Sequence, residues 1–264
     1  NKVDWTKATL TDQGLDRMGD SYWWTGLHIG DGANSFTEAS TGLNSVINYT
    51  KSNSGDVSIV NKDSENIFWE REVRYKFAKM DLNGSAVSEV SMSWDVDNKT
   101  AVALLALGQK VDINQDQDLI ITCKVRVSES LTETRSGEVD FGASKHQYVI
   151  KPCFYTKYEN SYIGSQLVQK EGRVYSGSIP LDASLEPDGS IDSNLANFET
   201  YTFETRSRKF QNFFTLSSPN AVTRTATSHT FGIPSAYAIE FNPPIDKDFN
   251  RELTLNFMIN WDRG

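Results

Sequence analysis

The residues able to do chemistry are few and widely spaced in this sequence. Three histidines, His28, His146 and His229, lie far apart and show no metal-ligand spacing. The HExxH helix of zinc proteases, the GxSxG turn of hydrolases and paired-cysteine zinc motifs are absent from the sequence. A Ser/His/Asp site would have to be assembled by the fold alone. We therefore expect a protein that works by binding, with no enzyme activity, no cofactor and no metal.

Residues 112–118 place four Asp or Asn side chains at alternate positions, as calcium-binding loops do. The sixth position is Gln117 where those loops have glycine, and the twelfth is Cys123 where they have a bidentate glutamate. We therefore expect a solvated hairpin loop, with a bound cation as the alternative.

Three consecutive aromatic residues, Tyr22, Trp23 and Trp24, are the candidates for a protein interface or for stacking on a sugar. Neighbouring residues of a strand point to opposite faces. We therefore expect at least one of the two tryptophans in the core and the other on the binding surface.

The charge balance excludes several classes of partner. The formal net charge is -9 and the estimated pI is 4.9, whereas nucleic acids and anionic membranes are bound by clustered Lys and Arg. The longest apolar run, residues 101–107, is far below the roughly 20 residues that span a bilayer, and no signal-peptide pattern opens the chain. Cys123 and Cys153 are expected to be free thiols of a protein made in a reducing cytosol.

An alternating apolar pattern occurs twice, 134 positions apart. Residues 119–127 are apolar at every second position, and residues 253–261 repeat that phase. Val111-Asp112, which opens the loop before the first copy, reappears as Ile245-Asp246. Three further segments align at offsets of 134 or 135: Ile163-Gly164 with Ile29-Gly30, 203–216 with 68–81, and 221–231 with 86–96. The pattern predicts one hairpin built twice, inside a longer internal repeat.

Between these strands, local signals predict the remaining elements. Residues 8–18 favour a helix with Thr11 as its N-cap, weakened by Gly14. Residues 40–66 are polar and predict a loop around a short strand at 57–60, and residues 128–138 are the best candidate for a linker.

The turn-rich, period-2 character predicts an all-β fold with minor α content. We expect two tandem antiparallel β-sandwich-like domains related by the internal repeat, with a short helix near the N terminus. The predicted domains are residues 1–129 and residues 130–264.

An ordered set of motifs in the first half resembles a known family. The motifs are Leu-Thr-Asp-Gln-Gly-Leu at 10–15, Leu-His-Ile-Gly-Asp-Gly at 27–32, a basic strand starting near Arg71, Ala-Val-Ser-Glu-Val at 86–90, and two strands at 101–107 and 119–127. They resemble the N-terminal domain of bacteriophage tail-fibre, tail-collar and baseplate-associated proteins, in which LTxxGL, xIGxG and xxSEVxL segments precede two closing strands. The second half joins this resemblance only through the internal repeat.

The resemblance implies a virion structural protein that attaches other proteins at the tail, neck or baseplate, made in the cytoplasm of the host bacterium. Proteins of that family often continue into a trimeric shaft and a receptor-binding tip, whereas this sequence ends at Gly264, so an adaptor or collar role is expected. The implied partners are other tail, neck or fibre proteins and further copies of the chain in a symmetric ring or attachment point, with no nucleic acid and no membrane. The alternatives are a carbohydrate-binding or host-receptor-binding module that uses Trp23 or Trp24, and an enzyme with a dispersed site.

Overall fold

A computed structural model gives the architecture of the chain. It describes residues 5–18, 23–32, 35–82, 84–142, 144–153, 171–183, 185–195, 197–198, 206–216, 221–230 and 233–263. Strands account for 54% of the structure and helices for 5%, which confirms the predicted mostly-β class. Neither described helix has the length and apolar character needed to cross a membrane.

Two short helices accompany the strands of the first half of the chain. In order, the elements are β1 (Thr9–Leu10), α1 (Asp12–Arg17), β2 (Gly26–Gly30), β3 (Val46–Thr50), β4 (Asn53–Lys62), β5 (Asn66–Phe77), α2 (Lys79–Leu82), β6 (Ala86–Ser93), β7 (Ala101–Asp112) and β8 (Leu119–Ser130).

Strands alone make up the described elements of the second half. They are β9 (Arg135–Asp140), β10 (Lys145–Pro152), β11 (Glu171–Tyr175), β12 (Ser190–Leu195), β13 (Asn197–Phe198), β14 (Ser207–Phe214), β15 (Ala221–Thr230), β16 (Ile233–Lys247) and β17 (Leu253–Asn260).

The first eight strands form two antiparallel sheets that pack face to face. One sheet has the order β1-β7-β6-β2-β3 and the other has the order β4-β5-β8. Leu27 and Ile29 of the first sheet share a core with Val73 and Phe77 of the second. The alternation predicted for the strand near Arg71 is confirmed, because the buried side chains of β5 alternate with more exposed charged ones.

The second half repeats this strand order. Its sheets run β9-β10-β16-β15-β11-β12 and β13-β14-β17, so that each strand from β10 to β17 takes the place of the strand nine earlier, and β9 is added at one edge. Val174, Phe214 and Phe241 pack between the two sheets. Among the described strands, none of β1–β8 pairs with any of β9–β17. This order is the one expected of an internal repeat; the boundary between residues 129 and 130 stays a prediction.

A large β-bulge lies at the same place in both halves. In β7, four residues (107–110) stand opposite the single residue between Val87 and Glu89 of β6. In β16, four residues (241–244) stand opposite the single residue between Thr223 and Thr225 of β15. The two bulges are 134 positions apart, the offset that the sequence predicts for the hairpin. The earlier strands of the two halves are separated by slightly larger offsets. Residues of β15 lie 136 positions after their counterparts in β6, and residues of β14 lie 137 positions after their counterparts in β5. The predicted offset of 135 is therefore wrong for these strands, because the connecting loops differ in length.

Helix α1 starts where the sequence predicts its cap. The Thr11 hydroxyl accepts a hydrogen bond from the Gly14 amide at 2.9 Å, which satisfies one of the free donors of the first turn. The helix is shorter than the predicted residues 8–18, because Thr9 and Leu10 pair with β7 as β1. A Cβ on Gly14 would lie 2.4 Å from the Val102 carbonyl oxygen, so glycine allows the helix to pack closely on β7.

Two other predictions from the sequence are wrong. Residues 40–66 contain the strands β3 and β4 where the sequence predicts mostly loop, although the predicted short strand at 57–60 does lie within β4. Both strands are sheet edges rich in polar residues, so their apolar alternation is weak. Most of the predicted linker, residues 128–138, belongs to β8 and β9, leaving only residues 131–134 as a connection.

Candidate functional site

A cavity of about 1600 Å³ lies inside the first sandwich. It lies between β7 of one sheet and β8 of the other, and we call it the cleft. Leu105 and Leu107 line the β7 side, Ile121 and Val125 line the β8 side, and all four are half-buried. The cleft is therefore lined by apolar side chains that the described part of the chain covers only in part.

Two strand edges border the cleft. Among the described strands, β8 pairs only with β5, and β7 pairs with β1 only at Ala103 and Leu104. Edge strands present unpaired N–H and C=O groups that can bind a further strand. The arrangement follows from the sequence, since β8 keeps its apolar side chains on one face while β1 is only two residues long.

Residues 5–8 run along the mouth of the cleft. Trp5 is 62% exposed, and the Lys124 ammonium of β8 lies 5.0 Å from the centre of its ring. Beside them, the Arg126 guanidinium donates to the buried Glu70 carboxylate at 2.9 and 3.0 Å. The mouth thus combines an exposed aromatic ring with paired charges.

Two tryptophans form the inner end of the cleft and anchor α1. The Trp23 indole N–H donates to the Gly14 carbonyl at 2.8 Å, and the Trp261 indole N–H donates to the Leu15 carbonyl at 2.7 Å. Carbonyls in the last turn of a helix lack the usual partners four residues further on, so the two indoles supply donors there. The Leu15 carbonyl also accepts from the Met18 amide at 3.1 Å. Trp261, which follows the last strand of the second half, therefore belongs to the core of the first half.

An ion-pair cluster on the outer side of α1 also joins the two halves. The Arg206 guanidinium donates to Asp12 and Asp16 at 2.8 Å each, and these carboxylates, Asp16 first, raise the pKa of Arg206. Arg263 pairs with Asp12 at 3.0 Å and with Glu38 at 3.3 Å. We call these five residues the clasp. Sequence reasoning missed the clasp, since no local pattern links arginines to carboxylates about 190 to 250 positions away.

The predicted aromatic site is not an exposed platform. Trp23 and Trp24 are 3% and 4% exposed, so the prediction that one of them faces outward is wrong. The bend at Trp23 precedes the strand, which starts only at Gly26, so the expected alternation of faces does not apply. Trp24 packs beside Tyr75, with the Arg71 guanidinium 5.2 Å from its ring. Tyr22 lies outside the described residues.

His28 forms a buried hydrogen-bond chain with a serine. The Ser93 hydroxyl lies 3.0 Å from His28 Nδ1, and Nε2 donates to the Val96 carbonyl at 2.8 Å. Burial lowers the pKa of His28, which favours the neutral ring. Because His28 is 1% exposed and Ser93 0%, the pair cannot reach a substrate from solvent and acts as a structural link between β2 and β6.

His146 forms hydrogen bonds of its own, away from His28. His146 is buried, with Nδ1 2.6 Å from the Pro243 carbonyl and Nε2 2.6 Å from the Ser144 hydroxyl, so it links β10 to β16. The side chain of His229 lies outside the described part of the structure.

The Gly30-Asp31-Gly32 turn encloses a buried carboxylate. Glu89 is fully buried and accepts hydrogen bonds from the Asn44 amide nitrogens, backbone at 3.0 Å and side chain at 2.8 Å. A Cβ on Gly32 would lie 2.3 Å from the Glu89 carboxylate, so this position requires glycine. The motif segments 27–32 and 86–90 are therefore packed against each other.

In the loop at residues 112–118, the Asp118 carboxylate is bonded to neighbouring groups of the protein. Asp118 accepts from the Lys79 amide at 3.0 Å and pairs with the Lys76 ammonium at 2.8 Å; the bond from Lys76 is the main reason that the pKa of Asp118 is lowered. Among the residues that the structure describes, no group of three or more His, Cys, Asp or Glu could hold a metal ion.

Both cysteines are buried free thiols. Burial raises the pKa of Cys123 and that of Cys153 to about 12. Because the thiolate is the reactive form of cysteine, neither residue is suited to act as a nucleophile at neutral pH.

The chain was compared with protein-family models, curated proteins and solved structures. No protein-family model matches the chain, and no curated protein and no solved structure matches it either.

Proposed function

We propose that this chain is a virion structural protein of a tailed bacteriophage, an adaptor of the tail, collar or baseplate that assembles with and attaches other tail or fibre proteins. In this role the protein acts by binding other proteins and not by catalysis. Its mechanism would be the presentation of two rigid sandwiches with open strand edges to neighbouring proteins.

The observation that carries the proposal is the packing of the resemblance motifs on one another. Thr11, from the first motif, lies within hydrogen-bonding distance of the Ala101 carbonyl at 2.7 Å, and Gly32 packs on Glu89. Segments spread over about ninety residues thus build one module, as expected if they were the shared structural determinants of a family. This supports the resemblance, from which the virion location is inferred.

A second observation favours assembly over chemistry. The groups best suited to catalysis, His28, His146 and Glu89, are buried and bonded to neighbouring strands and turns. By contrast, the cleft and its strand edges remain accessible. Proteins that bind by strand edges gain affinity from main-chain hydrogen bonds and selectivity from side-chain pockets.

The proposal is tested by native mass spectrometry of the purified chain, alone and mixed with isolated tail, neck and fibre components. We expect a defined oligomer or a defined complex with at least one component. Antibody labelling of intact virions should place the protein at the tail or neck. A chain that stays monomeric, joins no component and is missing from virions would refute the proposal.

A further inference from the structure

The two halves differ at one place where their topology predicts the same contact. In the second half, β16 is covered by β10 through six residue pairs, and β10 is covered in turn by β9. In the first half, β7 is covered by β1 through two residue pairs, and no described strand lies beyond β1. One sandwich therefore has two strands at an edge where the other has a two-residue strand.

The 134-residue offset locates the uncovered edge. Residues 105–108 of β7 take the place of residues 239–242 of β16, which pair with residues 147–150 of β10. The segment that would cover residues 105–108 is 5–8, but it forms no strand, and Trp5 lies against Lys124 on β8 instead. The main-chain groups of this part of β7 thus lie at a sheet edge beside the cleft, with no strand partner among the described residues.

The second half also indicates which side chains belong at this edge. Val139 and Phe141, at the end of β9, and Tyr148 of β10 pack against the core between β16 and β17. The equivalent core of the first half is lined by Leu105, Leu107 and Val125, which remain half-buried around the cleft. Its volume of about 1600 Å³ exceeds the roughly 300–1,000 Å³ of pockets for small ligands, so an extended polypeptide fits it better.

We propose that the cleft is a strand-acceptor site: an extended segment of a partner protein, with apolar side chains at alternate positions, pairs with β7 at residues 105–108 and fills the space next to β8. The proposal rests on the attachment role proposed above and gives it a site. The partner strand supplies what β9 and β10 supply in the second half. Main-chain pairing provides the affinity, and the alternating apolar side chains provide the selectivity.

The probe is a synthetic peptide of residues 133–152, the β9–β10 hairpin, added to the intact chain. We expect saturable binding by fluorescence anisotropy, with slower hydrogen–deuterium exchange at residues 105–108. Val125→Lys, which places a charge in the cleft, should weaken binding at least tenfold, and so should Val139→Asp in the peptide. Val57→Lys is the matched control, because Val57 is exposed on β4, the other edge of the same sheet.

Several outcomes would overturn the proposal. These are the absence of binding, equal binding by the Val125→Lys and Val57→Lys variants, or protection that maps outside β7. Leu107→Lys replaces Val125→Lys if the latter does not fold, as judged by circular dichroism. A concentration-dependent dimer of the free chain protected at residues 105–108 would assign the cleft to a second copy and refute the choice of partner.

The two proposals can fail separately. A chain that binds the peptide but joins no virion component leaves the strand-acceptor site standing and refutes the attachment role. If the wild type and the Val125→Lys variant assemble equally well with tail components, the attachment role stands and the cleft is refuted as its site.

Discussion

Replacing Trp261 with alanine should destabilise the first sandwich, although Trp261 follows the last strand of the second. The side chain is 9% exposed and packs in the core that contains Leu15. Burial of an aromatic side chain removes roughly 150–250 Å² from water, which at about 25 cal/mol per Å² corresponds to roughly 4–6 kcal/mol. Trp→Ala substitutions in cores cost about 3–5 kcal/mol, and we expect a loss in that range.

A second substitution isolates the hydrogen bond. Trp261→Phe keeps most of the apolar contact but removes the indole donor at 2.7 Å, so the Leu15 carbonyl keeps only its bond from the Met18 amide at 3.1 Å. The net contribution of one such hydrogen bond to stability is about 0.5–1.5 kcal/mol. The expected order of unfolding free energies is therefore wild type, then Trp261→Phe, then Trp261→Ala.

The assay combines urea unfolding with hydrogen–deuterium exchange of the peptide that contains α1. Both variants should speed exchange at residues 10–17, Trp261→Ala more than Trp261→Phe. Phe249→Ala is the control, since Phe249 is 69% exposed in the turn before β17, and exposed sites of this kind change stability by about 0.5 kcal/mol or less. Exchange of α1 that is unchanged in Trp261→Ala would refute the coupling of the two halves through this residue.

Three further substitutions test other parts of the structure. Leu255→Asp puts a charge in the second core, where Leu255 is 5% exposed, and should unfold that half; wild-type melting would show the strand phase to be wrong. Gly14→Ala should cost about 1–3 kcal/mol by overpacking against Val102, as measured by urea unfolding, whereas helix propensity alone predicts a gain. His28→Gln should flatten the pH dependence of stability: the folded pKa of His28 is lowered, so protonation below the unfolded value of about 6.5 favours the unfolded state. Wild-type stability should then fall from pH 6.5 downward, and an equal slope in the variant would contradict this.

Strand phase was predictable because it is a local property. The alternation in residues 119–127 and 253–261 identifies β8 and β17, and the cap at Thr11 identifies the start of α1. In each case one face of the element is buried, so the pattern that identifies the element lies within a dozen neighbouring residues.

The remaining fold depended on contacts that no local pattern records. Strands β3 and β4 lie at sheet edges, where exposed polar residues hide the alternation. The predicted equivalence of Ile163-Gly164 to Ile29-Gly30 lies outside the described residues. In strand order, β11 takes the place of β2, so a single offset does not describe the whole repeat.

The candidate site was the least predictable part. The sequence predicts one of the two tryptophans in the core and the other on the binding surface, yet the loop before β2 turns both rings inward. The cleft follows from a short strand, β1, where the other half has a long one, and the clasp follows from two arginines that meet α1 only in the folded chain. Each of these features is a property of two distant segments together.

The matching bulges of β7 and β16 bear on the history of the chain. Each requires four residues on one strand to face one residue on its neighbour, and both halves place this irregularity 134 positions apart. The simplest origin is an ancestral single sandwich that already carried the bulge and was then duplicated with it. On that origin, backbone shape at the bulge would be a more durable marker of common descent than any side chain nearby.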